Sequence, residues 1–137
     1  MNASSISFES LSPNLIVANV NRSVQFYADV FGFTLVASVP DSGSLNWAMV
    51  QRESVTIMFQ TLASIQEDVP SLNLKAGSAA MTMYIKVKNM DNLLSGVRGK
   101  VPLAVDLRTT FYGAREFAIK DPDGNVLMFA EDSPKEL

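Results

Sequence analysis

The sequence repeats one order of secondary-structure signals after about 70 residues. Shifting the chain by this distance aligns three apolar pairs: Val17 with Val87, Val20 with Met90 and Val24 with Leu94. In each half, an apolar stretch leads to an asparagine that can cap a helix, then to apolar residues at helical spacing, and then to three strand-like runs. The repeat predicts two β-α-β-β-β modules.

The first module begins with a strand at Leu15–Val17. Apolar residues then recur at i, i+4, i+7 and i+11 from Val20 to Phe31, and Gly32 follows where a left-handed cap ends a helix. This spacing predicts a helix over residues 20–31. Three strands are expected after it, at 33–39, 45–50 and 55–60.

The second module repeats this order after a linker in which Ser64–Glu67 predicts one short helical turn. A strand at Met81–Val87 precedes a helix from Met90 to about Gly99, and the last strands are expected at 101–107, 111–119 and 126–130. Asp121 and Asp123 lie in an Asp-Pro-Asp-Gly turn, where carboxylates bond their own backbone. We therefore interpret them as turn-forming residues and not as an acid–base pair.

These signals predict an α+β domain. We expect a tail at 1–10 and one domain at 11–132, with module 1 at about 11–62, a linker at 63–78 and module 2 at about 79–132. Two such modules are expected to form a curved mixed sheet with helices outside and a concave face inside, where a small ligand binds. The sequence leaves open whether the modules pair within one chain or exchange across a dimer.

Composition excludes several kinds of chemistry. The 137 residues include no histidine and no cysteine, which removes imidazole bases, thiol nucleophiles, and thiolate or imidazole metal ligands. The net charge of −3 is not gathered in blocks, so nucleic acid is not an expected partner. No run approaches the roughly 18 apolar residues that cross a bilayer, and no secretory signal begins the chain, so we expect no membrane partner and a cytoplasmic location.

Three strings carry a resemblance to a known family: Ser12-Pro-Asn-Leu-Ile-Val-Ala-Asn-Val-Asn-Arg-Ser-Val-Gln-Phe-Tyr27, Val30-Phe-Gly-Phe33 and Arg115-Glu-Phe-Ala-Ile-Lys-Asp-Pro-Asp-Gly-Asn125. With the element order, they resemble the vicinal oxygen chelate superfamily of glyoxalase I, bleomycin-resistance proteins and extradiol dioxygenases. The resemblance covers about residues 11–132. It implies the same two-module fold around a concave groove.

Enzymes of that family hold a divalent metal with one side chain from each of four strands. The resemblance places these positions at Ser12, Ile57, Thr82 and Met128, or one residue away at Pro13, Met58, Met81 and Phe129. None of these side chains is a ligand suited to a catalytic divalent ion. The resemblance then implies the metal-free, drug-binding branch: a homodimeric small-molecule binding protein with no metal and no cofactor.

Two other functions stay open. One is a glyoxalase- or dioxygenase-like enzyme that uses a non-standard oxygen-ligated metal, or acid–base chemistry of Tyr112 or Glu116. The other is a module that only binds proteins. We therefore leave open whether the protein is an enzyme, and favour a binding function.

The expected ligand-binding residues follow from strand alternation around those four positions and from aromatic residues with a polar tip. Arg115 belongs to a Tyr-Gly-x-Arg-Glu segment that resembles one near the groove of bleomycin-resistance proteins, and an ion pair and a ligand contact are equally expected for it. The expected wall suits a mostly apolar or aromatic molecule. The predicted site consists of Asn14, Trp47, Ile57, Phe59, Thr82, Tyr84, Tyr112, Arg115 and Met128.

Overall fold

A computed structural model describes residues 5–75 and 80–132. The strands are β1 (Asn14–Val17), β2 (Thr34–Val39), β3 (Trp47–Arg52), β4 (Val55–Thr61), β5 (Thr82–Lys86), β6 (Val105–Thr109), β7 (Ala114–Lys120) and β8 (Val126–Asp132). The helices are α1 (Val20–Phe31), α2 (Leu62–Asp68) and α3 (Met90–Arg98).

The two halves of the chain have the same topology. The first sheet has the strand order β1-β4-β3-β2 and the second has β5-β8-β7-β6. In each sheet the first and last strands of the module pair in parallel, and the other neighbours are antiparallel. This confirms the α+β class and the two β-α-β-β-β modules. In the described part of the chain, the expected curved sheet is divided into two four-stranded sheets.

Helix α1 has the predicted boundaries. The side chain of Asn19 accepts a hydrogen bond from the Arg22 N–H at 2.9 Å, which satisfies one of the free donors of the first turn. Gly32 ends the helix with a φ of 73°, in the left-handed region where a Cβ is unfavourable. The apolar side of the helix, with Val20, Tyr27 and Phe31, is buried.

Several boundaries differ from the expectations. Helix α2 begins earlier than predicted and covers Leu62–Asp68. The reason is that the hydroxyl of Thr61, one residue before the helix, accepts a hydrogen bond from the Ser64 N–H at 3.2 Å and caps the helix there. Strand β7 begins at Ala114 and not at residue 111, because Thr110–Gly113 form a turn. Residues 1–4 of the expected tail and 76–78 of the expected linker lie outside the described residues.

The two modules share one hydrophobic core. Helix α1 packs on the first sheet, α3 contacts β8 of the second, and the two helices touch each other. Phe31 of α1 lies 5.2 Å from Phe129 of β8, measured between ring centroids. The helix-covered faces of both sheets therefore turn toward the shared core, and their other faces turn away from it.

We call the face of the first sheet away from α1 the first open face, and the face of the second sheet away from α3 the second open face. No helix in residues 5–75 and 80–132 has the length and apolar character needed to cross a membrane.

Candidate functional site

The first open face is set by the alternation of side chains along β1 and β4. Asn14 and Met58 are register partners, and both are partly exposed on this face. Ile57 and Phe59 point the other way, with exposures of 1% and 0%. The Phe59 ring lies 4.8 Å from the Tyr27 ring of α1. Contrary to the expectation that they line the site, Ile57 and Phe59 are core residues, because they face α1.

Neutral side chains dominate the first open face. Its members include Asn14, Ile16, Trp47, Met49, Met58 and Gln60. The Asn14 amide donates to Gln60 Oε1 at 2.8 Å, and the Gln60 amide donates to Asp68 of α2 at 2.7 Å. A carboxylate such as that of Asp68 only accepts hydrogen bonds, so it fixes the orientation of the Gln60 amide, and Gln60 in turn fixes that of the Asn14 amide. The Oδ1 atom of Asn14 is left buried without a hydrogen-bond partner. Asn14 and Trp47 thus lie on the first open face, among flexible methionines and amides.

The second open face contains four of the expected residues: Thr82, Tyr84, Met128 and, at its edge, Tyr112. Thr82 and Tyr84 alternate with the inward-facing Met83 and Ile85 along β5. Tyr84 is the register partner of Met128 in β8, which brings these two side chains to the same place on the face. An exposure of 50% leaves the Tyr84 ring accessible.

A buried carboxylate lies at the centre of this face. Glu116 of β7 is 1% exposed and accepts hydrogen bonds from the hydroxyl groups of Tyr84, at 2.6 Å, and of Tyr112. The guanidinium of Arg108 lies 3.3 Å from its other oxygen. Three donors thus surround one carboxylate and fix the orientation of two tyrosine rings, each of which is half-exposed. We call Tyr84, Arg108, Tyr112 and Glu116 the Glu116 cluster.

The hydrogen bonds shift the protonation equilibria of this cluster away from neutral pH. The hydroxyl groups of Tyr112 and Tyr84 lower the pKa of Glu116, and Arg108 lowers it further, against the opposing effect of burial. The same contact with Glu116 raises the pKa of Tyr84 well above its ordinary value. At neutral pH, the cluster therefore holds an ionised carboxylate and a neutral Tyr84 phenol, an arrangement suited to positioning aromatic rings.

Arg115 lies away from the cluster. Its guanidinium is 2.6 Å from Asp91 of α3 and 3.7 Å from Glu131 of β8, on the helix-covered side of the sheet. Of the two roles expected for Arg115, the structure shows the ion pair. The guanidinium on the second open face belongs to Arg108, because the pairing of β6 with β7 shifts between Val105 and Arg108.

The sequence reasoning missed Arg108, and it named Glu116 only as a candidate for acid–base chemistry in the alternative, enzymatic function. The Tyr-Gly-x-Arg-Glu segment contained a signal for Glu116, since strand alternation puts it on the face opposite to Arg115. An irregularity in β6 has no comparable signal in the sequence, so Arg108 could not be assigned to a face.

The positions that hold a metal in enzymes of the vicinal oxygen chelate superfamily carry side chains in this chain that do not suit a metal ion. With β4 in its observed register, these positions are Ser12, Met58, Thr82 and Met128, because Ile57 faces the core. Two hydroxyls and two thioethers are a poor donor set for a hard divalent ion. Among the described residues, no three or more His, Cys, Asp or Glu side chains are grouped as metal ligands.

The two open faces do not meet within one chain, because the shared core separates them. A cleft of about 1360 Å³ opens instead between the modules, bounded by the end of α1, the β3–β4 turn and the start of α3. None of the nine expected site residues lines this cleft. A cavity built from both open faces would need a second chain.

The first prediction concerns the Glu116 carboxylate. Its lowered pKa means that the ionised form is favoured by folding, so Glu116 adds stability above the ordinary carboxyl pKa of about 4.3, and this stability is lost as the pH falls through its folded-state pKa. We expect Glu116→Gln to lower the melting temperature at pH 7 and to lower it by progressively less as the pH falls below the ordinary carboxyl pKa.

Thermal denaturation of both proteins between pH 3 and pH 8 measures this difference. The matched control is Glu53→Gln, because the Glu53 side chain is 85% exposed in the β3–β4 turn. Equal effects of Glu116→Gln at both ends of the pH range would contradict the prediction.

Comparisons with known proteins give three results. The sequence profile of the Glyoxalase/Bleomycin resistance protein/Dioxygenase superfamily matches residues 10–129. A bleomycin resistance protein of Geobacillus stearothermophilus is 28% identical over 126 residues, which cover 85% of this chain and 92% of the relative.

Two solved structures share the fold. TioX from Micromonospora sp. ML1 has a TM-score of 0.75 at 18% identity, covering 92% of this chain and all (100%) of TioX. A glyoxalase/bleomycin resistance protein/dioxygenase from Nocardioides has a TM-score of 0.72 at 17% identity, covering 98% of this chain and 93% of its own.

Proposed function

Because the chain belongs to the Glyoxalase/Bleomycin resistance protein/Dioxygenase superfamily, we propose that it is a metal-independent protein that binds a mostly apolar or aromatic small molecule on its open faces. The observation that carries this proposal is the Glu116 cluster. It fixes two half-exposed tyrosine rings on an intact family scaffold whose metal-holding positions carry hydroxyls and thioethers. Rigid aromatic side chains supply large contact area at a small entropic cost.

The relative from Geobacillus stearothermophilus supports the choice of a binding function. It is named a bleomycin resistance protein, and the match covers 92% of its length. A drug-binding role for this chain is therefore the part of the family's range that its residues fit best.

We further propose that the protein works as a homodimer. Exposed apolar side chains lie on β2 and on the second module; they include Val39, which pairs with Trp47, and Tyr84, Phe111 and Tyr112. A two-fold axis that brings the first open face of one protomer to the second open face of its partner would cover these side chains and form two equal grooves. Sedimentation equilibrium measures this state directly. The absence of cysteine fits a reducing compartment, and we propose the cytoplasm.

Acid–base catalysis by Tyr112 or Glu116 is the alternative. A general base works best with a pKa near the working pH. The pKa of Glu116 is lowered and that of its partner Tyr84 is raised, so both shifts move away from neutrality. These shifts favour binding over catalysis.

The second prediction tests the binding function. Metal-free bleomycin and a library of aromatic compounds are screened by thermal shift in the presence of a chelator. A ligand at 100 times its Kd adds about 2.7 kcal/mol to the free energy of unfolding. We expect at least one aromatic hit whose shift survives chelation and is lost in the Tyr84→Ala, Tyr112→Ala double variant.

The control variant is Val69→Ser, since Val69 is an exposed apolar residue that follows α2 and is not part of the Glu116 cluster. A protein that responds only to divalent ions, or whose hits are insensitive to the double variant, would refute the proposed function.

A further inference from the structure

The Glu116 cluster contains a guanidinium whose hydrogen-bonding capacity is largely unused. Arg108 approaches Glu116 with one nitrogen at 3.3 Å, and in the described part of the chain this is its one partner. An arginine side chain carries five N–H donors. The Arg108 side chain is 54% exposed, so the remaining donors are accessible from the second open face.

The carboxylate of Glu116 is satisfied without a second contact from Arg108. One of its oxygens accepts from both tyrosine hydroxyls, and Glu116 itself is 1% exposed. A molecule on this face therefore meets Arg108 and not the carboxylate. The polar group that the cluster presents outward is a cation.

Aromatic rings flank this cation on the same surface. Tyr84 and Tyr112 are 50% and 57% exposed, and both are held in place through Glu116. Phe111 packs edge-on against Tyr112, with a ring-centroid distance of 5.0 Å. A flat aromatic molecule can contact these rings while a planar anion attached to it meets the guanidinium in a bidentate pair.

We propose that the second open face recognises aromatic carboxylates, with Arg108 binding the carboxylate and with Tyr84 and Tyr112 contacting the ring. This inference rests on the proposed function and narrows its ligand to one chemical class. It also assigns the charged contact to Arg108 in place of Arg115, which is held by Asp91 and Glu131.

The test compares three probes that share one ring system and differ in charge: 2-naphthoate, neutral 2-naphthamide and cationic 2-naphthylmethylammonium. Titration calorimetry on the full-length protein at neutral pH gives their Kd values. A hydrogen-bonded contact to a charged group corresponds to roughly 10- to 100-fold in affinity. We expect naphthoate to bind tighter than naphthamide by this factor, and the ammonium compound to bind weakest.

Two variants assign the effect to the guanidinium. Arg108→Gln is expected to remove the preference for naphthoate over naphthamide, and Arg108→Lys is expected to retain part of it. The control is Lys120→Gln, which removes an exposed cation outside the cluster, on the same face of β7 as Glu116. The melting temperature and the circular dichroism spectrum confirm that each variant is folded.

Equal binding of the acid and the amide, a preference for the ammonium compound, no binding of naphthoate, or an equal loss in Lys120→Gln would overturn the inference. Binding of the neutral amide, or of any hit from the library screen, keeps the proposed function standing in each of these cases. Failure of the ligand class and failure of the binding function are thus distinguishable.

Discussion

Phe59→Ala is expected to lower the free energy of unfolding by about 3–5 kcal/mol, the usual cost of removing a buried phenylalanine side chain. Phe59 is fully buried (0% exposed), and its ring contacts Tyr27 of α1 at 4.8 Å. The deletion would leave a cavity between the first sheet and α1 and would remove an aromatic contact. Urea denaturation monitored by circular dichroism measures the loss.

The neighbouring Met58 is the matched control. It belongs to the same strand but is partly exposed on the first open face. We expect Met58→Ala to cost less than Phe59→Ala, because a flexible side chain outside the core leaves no closed cavity. If Met58→Ala were the more destabilising of the two, the register of β4 and the assignment of the first open face would both be incorrect.

The second large effect is expected at Asp121. Its carboxylate is 5% exposed and accepts four hydrogen bonds, from the Tyr27 hydroxyl at 2.8 Å, the Asn125 side chain at 3.0 Å, and the backbone N–H groups of Asp123 and Asn125, each at 2.9 Å. Each buried donor left without a partner costs roughly 1–3 kcal/mol. Allowing for non-additivity, we expect Asp121→Ala to destabilise the protein by about 3–5 kcal/mol.

Part of this loss comes from a hydrogen bond that joins the two modules, since Tyr27 belongs to α1 and Asp121 to the turn after β7. Tyr27→Phe removes only that one hydrogen bond, and we expect it to cost about 1–2 kcal/mol. In a double-mutant cycle, Tyr27→Phe should have a smaller effect in the Asp121→Ala background.

The control is Asp41→Ala, since Asp41 is exposed in the turn after β2. Additive effects in the cycle, or an Asp41→Ala loss as large as that of Asp121→Ala, would contradict a contact specific to this pair.

The face of a strand could be predicted where polar and apolar residues alternate. In β5, Thr82, Tyr84 and Lys86 alternate with Met83 and Ile85, so strand geometry alone separates the two faces. In β4, the run Ile57-Met58-Phe59 is apolar on both sides, and a period of two gives no sign of which side faces a helix. The resemblance placed Ile57 at a metal position and alternation placed Phe59 beside it, and the apolar run held no signal that both residues face the core.

The face of the sheet on which Arg115 lies could not be predicted for a similar reason. The sequence shows an arginine beside a glutamate but not which of the two faces a helix. Arg108 reaches Glu116 through a shift in the pairing of β6 with β7, whereas Arg115 reaches Asp91, 24 residues away along the chain. Both outcomes depend on contacts between elements.

The sequence by itself determined the local structure and the limits on chemistry. The repeated module, the boundaries of α1 with their Asn19 and Gly32 caps, and the lack of imidazole and thiol groups all depend on residues close together or on composition. Only the tertiary structure decided how the modules pack and which faces stay open. That choice depends on contacts between distant residues, such as Tyr27 and Asp121, which are 94 positions apart, and no local periodicity encodes them.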